Sequence, residues 1–142
     1  MDLDRRALRR YAVGDVAAIV LFVVLGEFSH GANPLLVLGS TLTTVGTFLL
    51  GWIVVAGPGG AYGERTLSEA RAAVLHPIGL WAVADLLAQA VRATAAVPGH
   101  AALSFYLVAL IVGGALLGGQ RYALYRIDAW PLSARNRGPR HS

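Results

Sequence analysis

The sequence contains no cysteine, and all twelve of its basic residues are arginine rather than lysine. The absence of cysteine excludes disulfide bonds, thiolate nucleophiles, cysteine-ligated zinc and iron–sulfur clusters. The four histidines show no H-x-x-x-H spacing of the kind that holds zinc, and no phosphate-binding, dinucleotide-binding or G-x-S-x-G motif occurs. We therefore expect no metal ion, no cofactor and no catalytic residues, and we expect that the protein is not an enzyme.

Charged residues are also scarce. They make up 14% of the chain, against about 25% in soluble domains, whereas hydrophobic residues make up 56%. The isoelectric point near 10.1 would suit nucleic-acid binding, but the arginines flank apolar runs and form no basic patch among aromatic residues. Together with a mean hydropathy of +0.58, this composition predicts an integral membrane protein whose partner is the lipid bilayer and not nucleic acid.

Four apolar runs are long enough to cross a bilayer as helices. The third contains 21 residues, or about 31 Å of helix, which matches the thickness of the hydrocarbon core. We predict an all-α integral membrane bundle of four transmembrane helices. The chain divides into a basic head at 1–10, a transmembrane domain at 11–127 and a disordered tail at 128–142. The four spans lie at about 11–29, 35–56, 77–97 and 101–119. A cleavable signal peptide is not favoured, because the first run has the length of a full span and lacks an A-x-A-like site.

Proline, glycine and capping residues indicate the helix boundaries. Asn33 and Pro34 predict the start of the second span, and the sequence GPGG predicts its end. The sequence TLSE at 66–69 matches a capping box and predicts a short helix from Leu67. Pro77 either kinks one long helix or separates two helices, and the sequence leaves both alternatives open.

The arginines predict the orientation of the bundle. Four lie in the head, two in the loop before the third span and five in the C-terminal segment, so 11 of 12 fall on one side. A very short turn at 98–99, on the other side, makes the third and fourth spans antiparallel neighbours. Because positive residues stay on the cytoplasmic side, we predict a cell-membrane protein with both termini in the cytoplasm. Anionic lipids at the cytoplasmic face are the expected partners of this basic side.

Asp85 is the most informative polar residue of the third span. Gln89 and Arg92 follow it one and two turns later on the same helix face. A carboxylate near the bilayer centre costs about 3 kcal/mol to insert, so neighbouring helices must satisfy it. Two interpretations stay open: Asp85 exchanges protons, or it is a strut that hydrogen-bonds to the Ser and Thr face of the second span.

Three further polar positions belong to this candidate intramembrane site. Glu27 lies in the same half of the bilayer as Arg92, and an ion pair between them would cancel two costly charges. His30 lies near Glu27, where it is either a proton-responsive group of this site or, as we favour, a solvated loop histidine. Asp15 lies close to the inner interface, where an arginine of the head or of the loop is its expected partner.

The fourth span contains no charge, but it contains Gly114 and Gly118 in a GxxxG pattern. Small residues at this spacing let two helices approach closely, so we predict a helix-packing face there. A homo-oligomer is one assembly that such a face allows. Beyond the span, Arg121, Tyr122 and Tyr125 are typical of an interfacial belt.

Several short motifs resemble those of one membrane-protein family. Asp15 opens the first span, GEFSHG covers residues 26–31, TFLLGW covers residues 47–52, and Arg92 closes the third span. In this arrangement the chain resembles the domain-of-unknown-function family 3054 (DUF3054), small multi-pass membrane proteins of archaea and bacteria. Glu27 stands where that pattern often has a basic residue. The resemblance implies the fold and the membrane location, and it implies no activity.

Two classes of function follow from the polar residues. Asp85, Asp15 and Glu27 lie within spans and favour proton-linked or small-solute transport. The GxxxG pattern and the arginine-rich tail favour instead a non-catalytic membrane scaffold, assembly or lipid-interacting protein. Small multidrug resistance transporters also have four spans and an acidic residue in the first, but their weak charge bias does not fit the arginine distribution here.

Overall fold

The computed structural model describes residues 5–94 and 103–135, and their side chains as far as residue 127. This part of the chain forms five helices: α1 (Arg5–Ser29), α2 (Leu38–Ala56), α3 (Glu64–Ser68), α4 (Ala70–Arg92) and α5 (Leu103–Arg135). All except the short α3 are long and apolar enough to cross a membrane. The described residues contain no strand, so the predicted all-α bundle of four transmembrane helices is confirmed.

The four long helices form a closed ring. α1 packs against α2 and α5, and α4 packs against the same two helices, so α1 and α4 lie diagonally across the bundle. Large apolar side chains cover the outside, such as Ile53 at 67% exposure and Ile111 at 70%. An apolar exterior is expected where lipid rather than water surrounds the bundle.

The first two helices begin at other residues than the sequence predicts. α1 extends back to Arg5, because arginine is a good helix former and its charge lies outside the hydrocarbon core. α2 begins at Leu38 rather than at residue 35. Residues 34–37 instead form turns, in which the side chain of Asn33 accepts a hydrogen bond of 3.0 Å from the Leu35 N–H.

The third span is one continuous helix with Pro77 inside it. It begins at Ala70 rather than at residue 77 and ends at Arg92 rather than at residue 97. Of the two alternatives that the sequence leaves open, the single helix is therefore the one that forms. The turn predicted at 98–99 lies outside the described residues.

The short helix predicted from the capping box forms at Glu64–Ser68 rather than from Leu67. The hydroxyl of Thr66 does not cap it, because this group donates a hydrogen bond of 2.8 Å to the carbonyl oxygen of Gly60. Glu69 has extended backbone angles (φ −111°, ψ 126°) and separates α3 from α4. The chain thus turns before α4 without a side-chain cap.

The last helix is longer than its span. α5 contains 33 residues, or about 50 Å of helix, against about 30 Å of hydrocarbon core. It continues to Arg135, past residue 128, where the sequence predicts the start of a disordered tail. Its C-terminal turns therefore extend beyond the bilayer as helix.

Candidate functional site

Asp15 and Arg121 form a buried ion pair between α1 and α5. The Nη2 atom of Arg121 lies 2.6 Å from Oδ2 of Asp15, and its Nε lies 2.9 Å from Oδ1. Both side chains are fully buried. Two parallel charge-assisted hydrogen bonds are strong and geometrically specific, so they offset the cost of removing both charges from water.

Neutral donors complete the surroundings of Asp15. The hydroxyl of Tyr62 donates to Oδ2 at 2.6 Å, and Nε2 of Gln120 donates to Oδ1 at 2.7 Å. Nε1 of Trp52 in turn donates to the Tyr62 oxygen at 3.1 Å. Burial raises the pKa of Tyr62 above its ordinary value, and the charge of Asp15 raises it further, so Tyr62 stays protonated and keeps donating.

The loop between α2 and α3 is tied to the same pair. The carbonyl oxygen of Ala61 accepts a hydrogen bond of 2.7 Å from Nη1 of Arg121, and that of Gly59 lies 2.6 Å from Nε2 of His76 on α4. Between them, Gly60 adopts a φ of +77°, which glycine allows without strain. The ion pair therefore connects α1, α5 and this loop in one network.

The partner of Asp15 is not the one that the sequence predicts. An arginine of the head or of the loop is expected there, whereas Arg121 is expected in an interfacial belt. The two residues lie 106 positions apart, so no local spacing relates them. One feature of the sequence could have indicated Arg121 as the partner: it follows the uncharged fourth span almost directly.

Aromatic side chains fill the centre of the bundle and form an aromatic layer of Phe22, Phe48 and Trp81. Their ring centroids lie 5.1–5.8 Å apart, and Phe48 and Trp81 are fully buried. The indole N–H of Trp81 donates to a backbone carbonyl of α5 at 2.9 Å. Phe22 lies between Asp15 and Glu27 along α1, so the layer separates the ion pair from the polar residues at the opposite end.

Asp85 and Gln89 lie buried on α4 beyond the aromatic layer. Nε2 of Gln89 donates to Oδ1 of Asp85 at 3.2 Å. Among the described residues, Oδ2 of Asp85 and Oε1 of Gln89 are buried without a hydrogen-bond partner. Two neighbouring acceptors thus lack a donor, an arrangement that is costly in an apolar interior.

The predicted strut from Asp85 to the second span does not form. The hydroxyl of Thr44 donates to the carbonyl oxygen of Ser40 at 3.0 Å, and that of Thr47 donates to Thr43 at 2.8 Å. A hydroxyl has one hydrogen, and a helix offers it a carbonyl one turn earlier. The hydroxyl groups of Thr44 and Thr47 therefore donate within α2, and Gln89 is the side chain that donates to Asp85.

A cavity of about 620 Å³ lies at this end of the bundle; its lining is mixed, and we call it the polar cavity for the charged and hydroxyl groups that it contains. Glu27 and His30 line it from the end of α1, and Arg92 lines it from the end of α4. Hydroxyl groups complete the polar lining: Ser29, Ser40, Thr44 and Ser104. No group of three His, Asp or Glu side chains within the described ranges could hold a metal ion.

Glu27 and Arg92 share this cavity, but the structure forms no ion pair between them in the part of the chain that it describes. The guanidinium carbon of Arg92 lies 4.7 Å from the ring centroid of Phe105, and its buried Nε has no hydrogen-bond partner among the described residues. Glu27 and Arg92 therefore line the same cavity, but the predicted ion pair between them does not form.

The predicted helix-packing face of the fourth span packs within the chain. A Cβ added at Gly118 would lie 2.9 Å from Cδ1 of Ile78, and one at Gly114 would lie 3.7 Å from Cγ2 of the same residue. At Gly113 it would lie 2.5 Å from the indole of Trp81. The GxxxG face of α5 therefore contacts α4 and is not free to contact a second copy.

A comparison with protein families matches residues 12–124 to the family described as "Protein of unknown function (DUF3054)". The matched region contains the ion pair, the aromatic layer and the residues of the polar cavity. The resemblance seen in the short motifs is thereby confirmed. No curated protein and no solved structure matches the chain.

Proposed function

The chain belongs to the DUF3054 family, and we propose that it is a cell-membrane protein that binds a small polar solute in its cavity and moves it across the bilayer. The observation that carries the proposal is that Glu27 and Arg92 line one cavity without forming an ion pair. A zwitterion, such as an amino acid, would present an ammonium group to Glu27 and a carboxylate to Arg92. Bound in this way, it would bridge two side chains that form no ion pair with each other and would give the buried Nε of Arg92 an acceptor that the described residues do not provide.

The size and the lining of the cavity support this role. A volume of about 620 Å³ falls within the range of about 300–1,000 Å³ for small-molecule sites. Phe105 and Val108 give it an apolar wall, while the hydroxyl groups offer hydrogen bonds that orient a ligand. Among the described residues of this cavity, the hydroxyl groups of Ser29 and Thr44 donate to backbone carbonyls and none bonds to His30 or Glu27, so we favour binding and translocation over an enzymatic reaction.

The arginine distribution supports an orientation with both termini in the cytoplasm. In that orientation the polar cavity faces the outside, and the Asp15–Arg121 pair lies near the cytoplasmic face. Solute would enter from outside and reach the aromatic layer, which closes the way inward. We propose that this arrangement is the outward-facing member of a pair of states, and that the layer opens in the other state.

Asp85 lies where a proton could couple to that change. A proton on Oδ2 of Asp85 would turn one of the two unpartnered acceptors of the Asp85–Gln89 pair into a donor, whereas a carboxylate leaves both acceptors without a donor among the described residues. The charge of Asp85 would then alter the packing of α4 beside the layer. Proton-linked transport is the more specific form of the proposal.

A non-catalytic scaffold, assembly or lipid-interacting role is the second candidate. It is favoured by the closed aromatic layer and by the network that ties α1, α5 and the α2–α3 loop together. A scaffold needs a rigid bundle and no flux. Both candidates therefore make different predictions for the same reconstituted protein.

Transport is tested in liposomes that contain the purified protein, with radiolabelled glycine, serine and proline as solutes and an internal pH dye for protons. We expect uptake above empty liposomes. Arg92→Gln should lower uptake by about tenfold or more, because it removes a charge-assisted hydrogen bond worth about 1.5–3 kcal/mol. Arg65→Gln is the matched control, since the side chain of Arg65 is 86% exposed and should leave uptake unchanged.

The proton-linked form adds that Asp85→Asn abolishes proton flux while the protein still folds. Glu27→Gln should resemble Arg92→Gln, with Glu69→Gln as its exposed control. If neither the solutes nor protons move faster than in empty liposomes, the transport proposal is wrong and the scaffold role is left.

A further inference from the structure

A second cavity, of about 720 Å³, runs along the lipid-facing side of the bundle between α1 and α5, and we call it the α1/α5 groove. Its floor on α1 consists of small residues, Gly14, Ala17 and Ala18. Its α5 wall is formed by Leu116, Leu124 and their neighbours. The groove is thus apolar along most of its length and open to the surrounding lipid.

Arginines mark one end of this groove. Arg6, Arg9 and Arg10 line it there, and Val13 and Leu21 continue the same stripe of α1 at helical spacing. The distance from Arg10 to Leu21 is about 16 Å along the helix, and one leaflet of a hydrocarbon core measures about 15 Å. The groove therefore spans one leaflet, with positive charge at headgroup level and apolar walls at acyl-chain depth.

We propose that the α1/α5 groove binds one anionic phospholipid of the leaflet on the arginine-rich side. One acyl chain lies along the small residues of α1, and the phosphate accepts hydrogen bonds from the guanidinium groups of Arg6, Arg9 and Arg10. This site goes beyond the proposed transport function and does not depend on it, since no residue of the polar cavity lines the groove.

The shape of the groove is set by the fold before any lipid binds. Gln120 lies across Gly14 so closely that a Cβ there would collide with its side chain. Gln120 also donates to Asp15, and the Asp15–Arg121 pair holds α1 against α5 on the buried side of the same helices. A preformed groove keeps the ordering cost of binding low.

Charge complementarity favours a lipid over a second copy of the chain. Copies in one membrane share one orientation, so a symmetric contact along this groove would place Arg6, Arg9 and Arg10 against the same residues of the partner. Like charges at that distance oppose association. An anionic headgroup meets the arginines with the opposite charge, and its acyl chain matches the walls.

The test is native mass spectrometry of the full chain in detergent, titrated with palmitoyl-oleoyl phosphatidylglycerol or with the phosphatidylcholine of the same chains. We expect one phosphatidylglycerol bound in preference to phosphatidylcholine. Replacing Arg6, Arg9 and Arg10 by Gln should weaken binding about a hundredfold, at about fivefold per arginine. The matched control replaces three other exposed arginines by Gln: Arg65, Arg71 and Arg126.

The groove itself is tested by Ala17→Phe, which fills it from an exposed position, against Ala115→Phe on an exposed position of α5 outside it. We expect about tenfold weaker phosphatidylglycerol binding for Ala17→Phe and no change for Ala115→Phe. Should the triple variant fold poorly, the single variant Arg9→Gln tests the headgroup contacts in its place. We expect about fivefold weaker phosphatidylglycerol binding for this variant.

Two results would overturn the proposal. If the two triple variants weaken binding equally and Ala17→Phe changes nothing, lipid is held by diffuse surface charge and not by the groove. If the wild type retains no phosphatidylglycerol and is instead a dimer that Ala17→Phe dissociates, the groove is an interface between copies.

Discussion

At the scale of single residues, Asp15 and Asp85 show how surroundings decide what a buried acid does. Both carboxyl groups are fully buried. Asp15 faces the guanidinium of Arg121 and the hydroxyl of Tyr62, so each of its oxygens has a donor. Asp85 has one hydrogen bond, from Gln89, and a second oxygen without a partner in the described chain. The hydrogen bonds of Asp15 are thus complete, whereas those of Asp85 are only half satisfied within the described chain.

The same substitution should therefore have opposite effects at the two positions. Asp15→Asn leaves Arg121 buried without a counter-charge and should lower the free energy of unfolding by about 3–5 kcal/mol. Asp85→Asn removes a costly carboxyl and brings an N–H donor to the side chain of Gln89, so stability should equal or exceed wild type. Thermal unfolding of the purified protein in one detergent measures both.

Arg126→Gln, on an exposed side chain, controls for the loss of an arginine and should stay within about 0.5 kcal/mol of wild type. A loss of several kcal/mol for Asp85→Asn would mean that its carboxylate has a partner essential to the fold, contrary to the structure.

At the scale of helices, close approach depends on a few glycines. A Cβ at Gly51 of α2 would lie 2.7 Å from the carbonyl oxygen of Ala84, directly before Asp85. Since the contacted atom is backbone, only a shift of α2 against α4 could relieve it. The α5 glycines approach side chains of α4, which can rotate away more readily. Among the helical glycines that the structure describes, Gly51 is therefore the one at which an added Cβ would meet the backbone of another helix.

Gly51→Ala should consequently destabilise the bundle by about 1–3 kcal/mol, as overpacked cores do. Gly46 lies in the same helix with nothing within 4 Å of an added Cβ, so Gly46→Ala is the matched control. It should be neutral or stabilise by up to about 1 kcal/mol through helix propensity. Equal effects of the two substitutions on thermal unfolding would show that α2 and α4 do not meet at Gly51.

At the scale of the whole molecule, the two ends of the bundle differ in chemistry. One end holds the arginines of the head, the loop and the α5 extension, together with the buried ion pair and the α1/α5 groove. The other end holds the polar cavity between Glu27 and Arg92. The aromatic layer separates them. Which end faces the cytoplasm thus determines the side of the membrane at which the polar cavity lies.

The orientation can be tested because the chain has no cysteine of its own. Ser29→Cys and Ser68→Cys place near-isosteric thiols on exposed positions at opposite ends. In intact cells an impermeant maleimide should label position 29 and leave position 68 unlabelled until the membrane is broken. The cysteine-free wild type gives the background. Labelling of position 68 from outside would show the opposite orientation, with the polar cavity at the cytoplasmic end of the bundle.

The sequence alone determined the class of fold and the polar residues that need an explanation. Long apolar runs in a chain this poor in charge are stable only as membrane helices, because hydrocarbon leaves each backbone amide no partner but its own helix. That argument is local, so it locates the four helices and picks out Asp15, Glu27, Asp85 and Arg92. It is weaker at helix ends: α2 begins three residues later than the sequence predicts, after a turn that Asn33 stabilises, and α4 begins seven residues earlier.

Only the tertiary structure decided which polar groups meet. Asp15 pairs with Arg121 rather than with a nearby arginine, because the ring of helices brings α5 beside α1 and supplies a bidentate donor inside the bundle. Glu27 and Arg92 line one cavity but form no ion pair, because α1 and α4 lie diagonally across that ring. Pairing across a bundle depends on helix order and rotation, and these follow from long-range packing at positions such as Gly51 and Trp81 that no spacing in the sequence reveals.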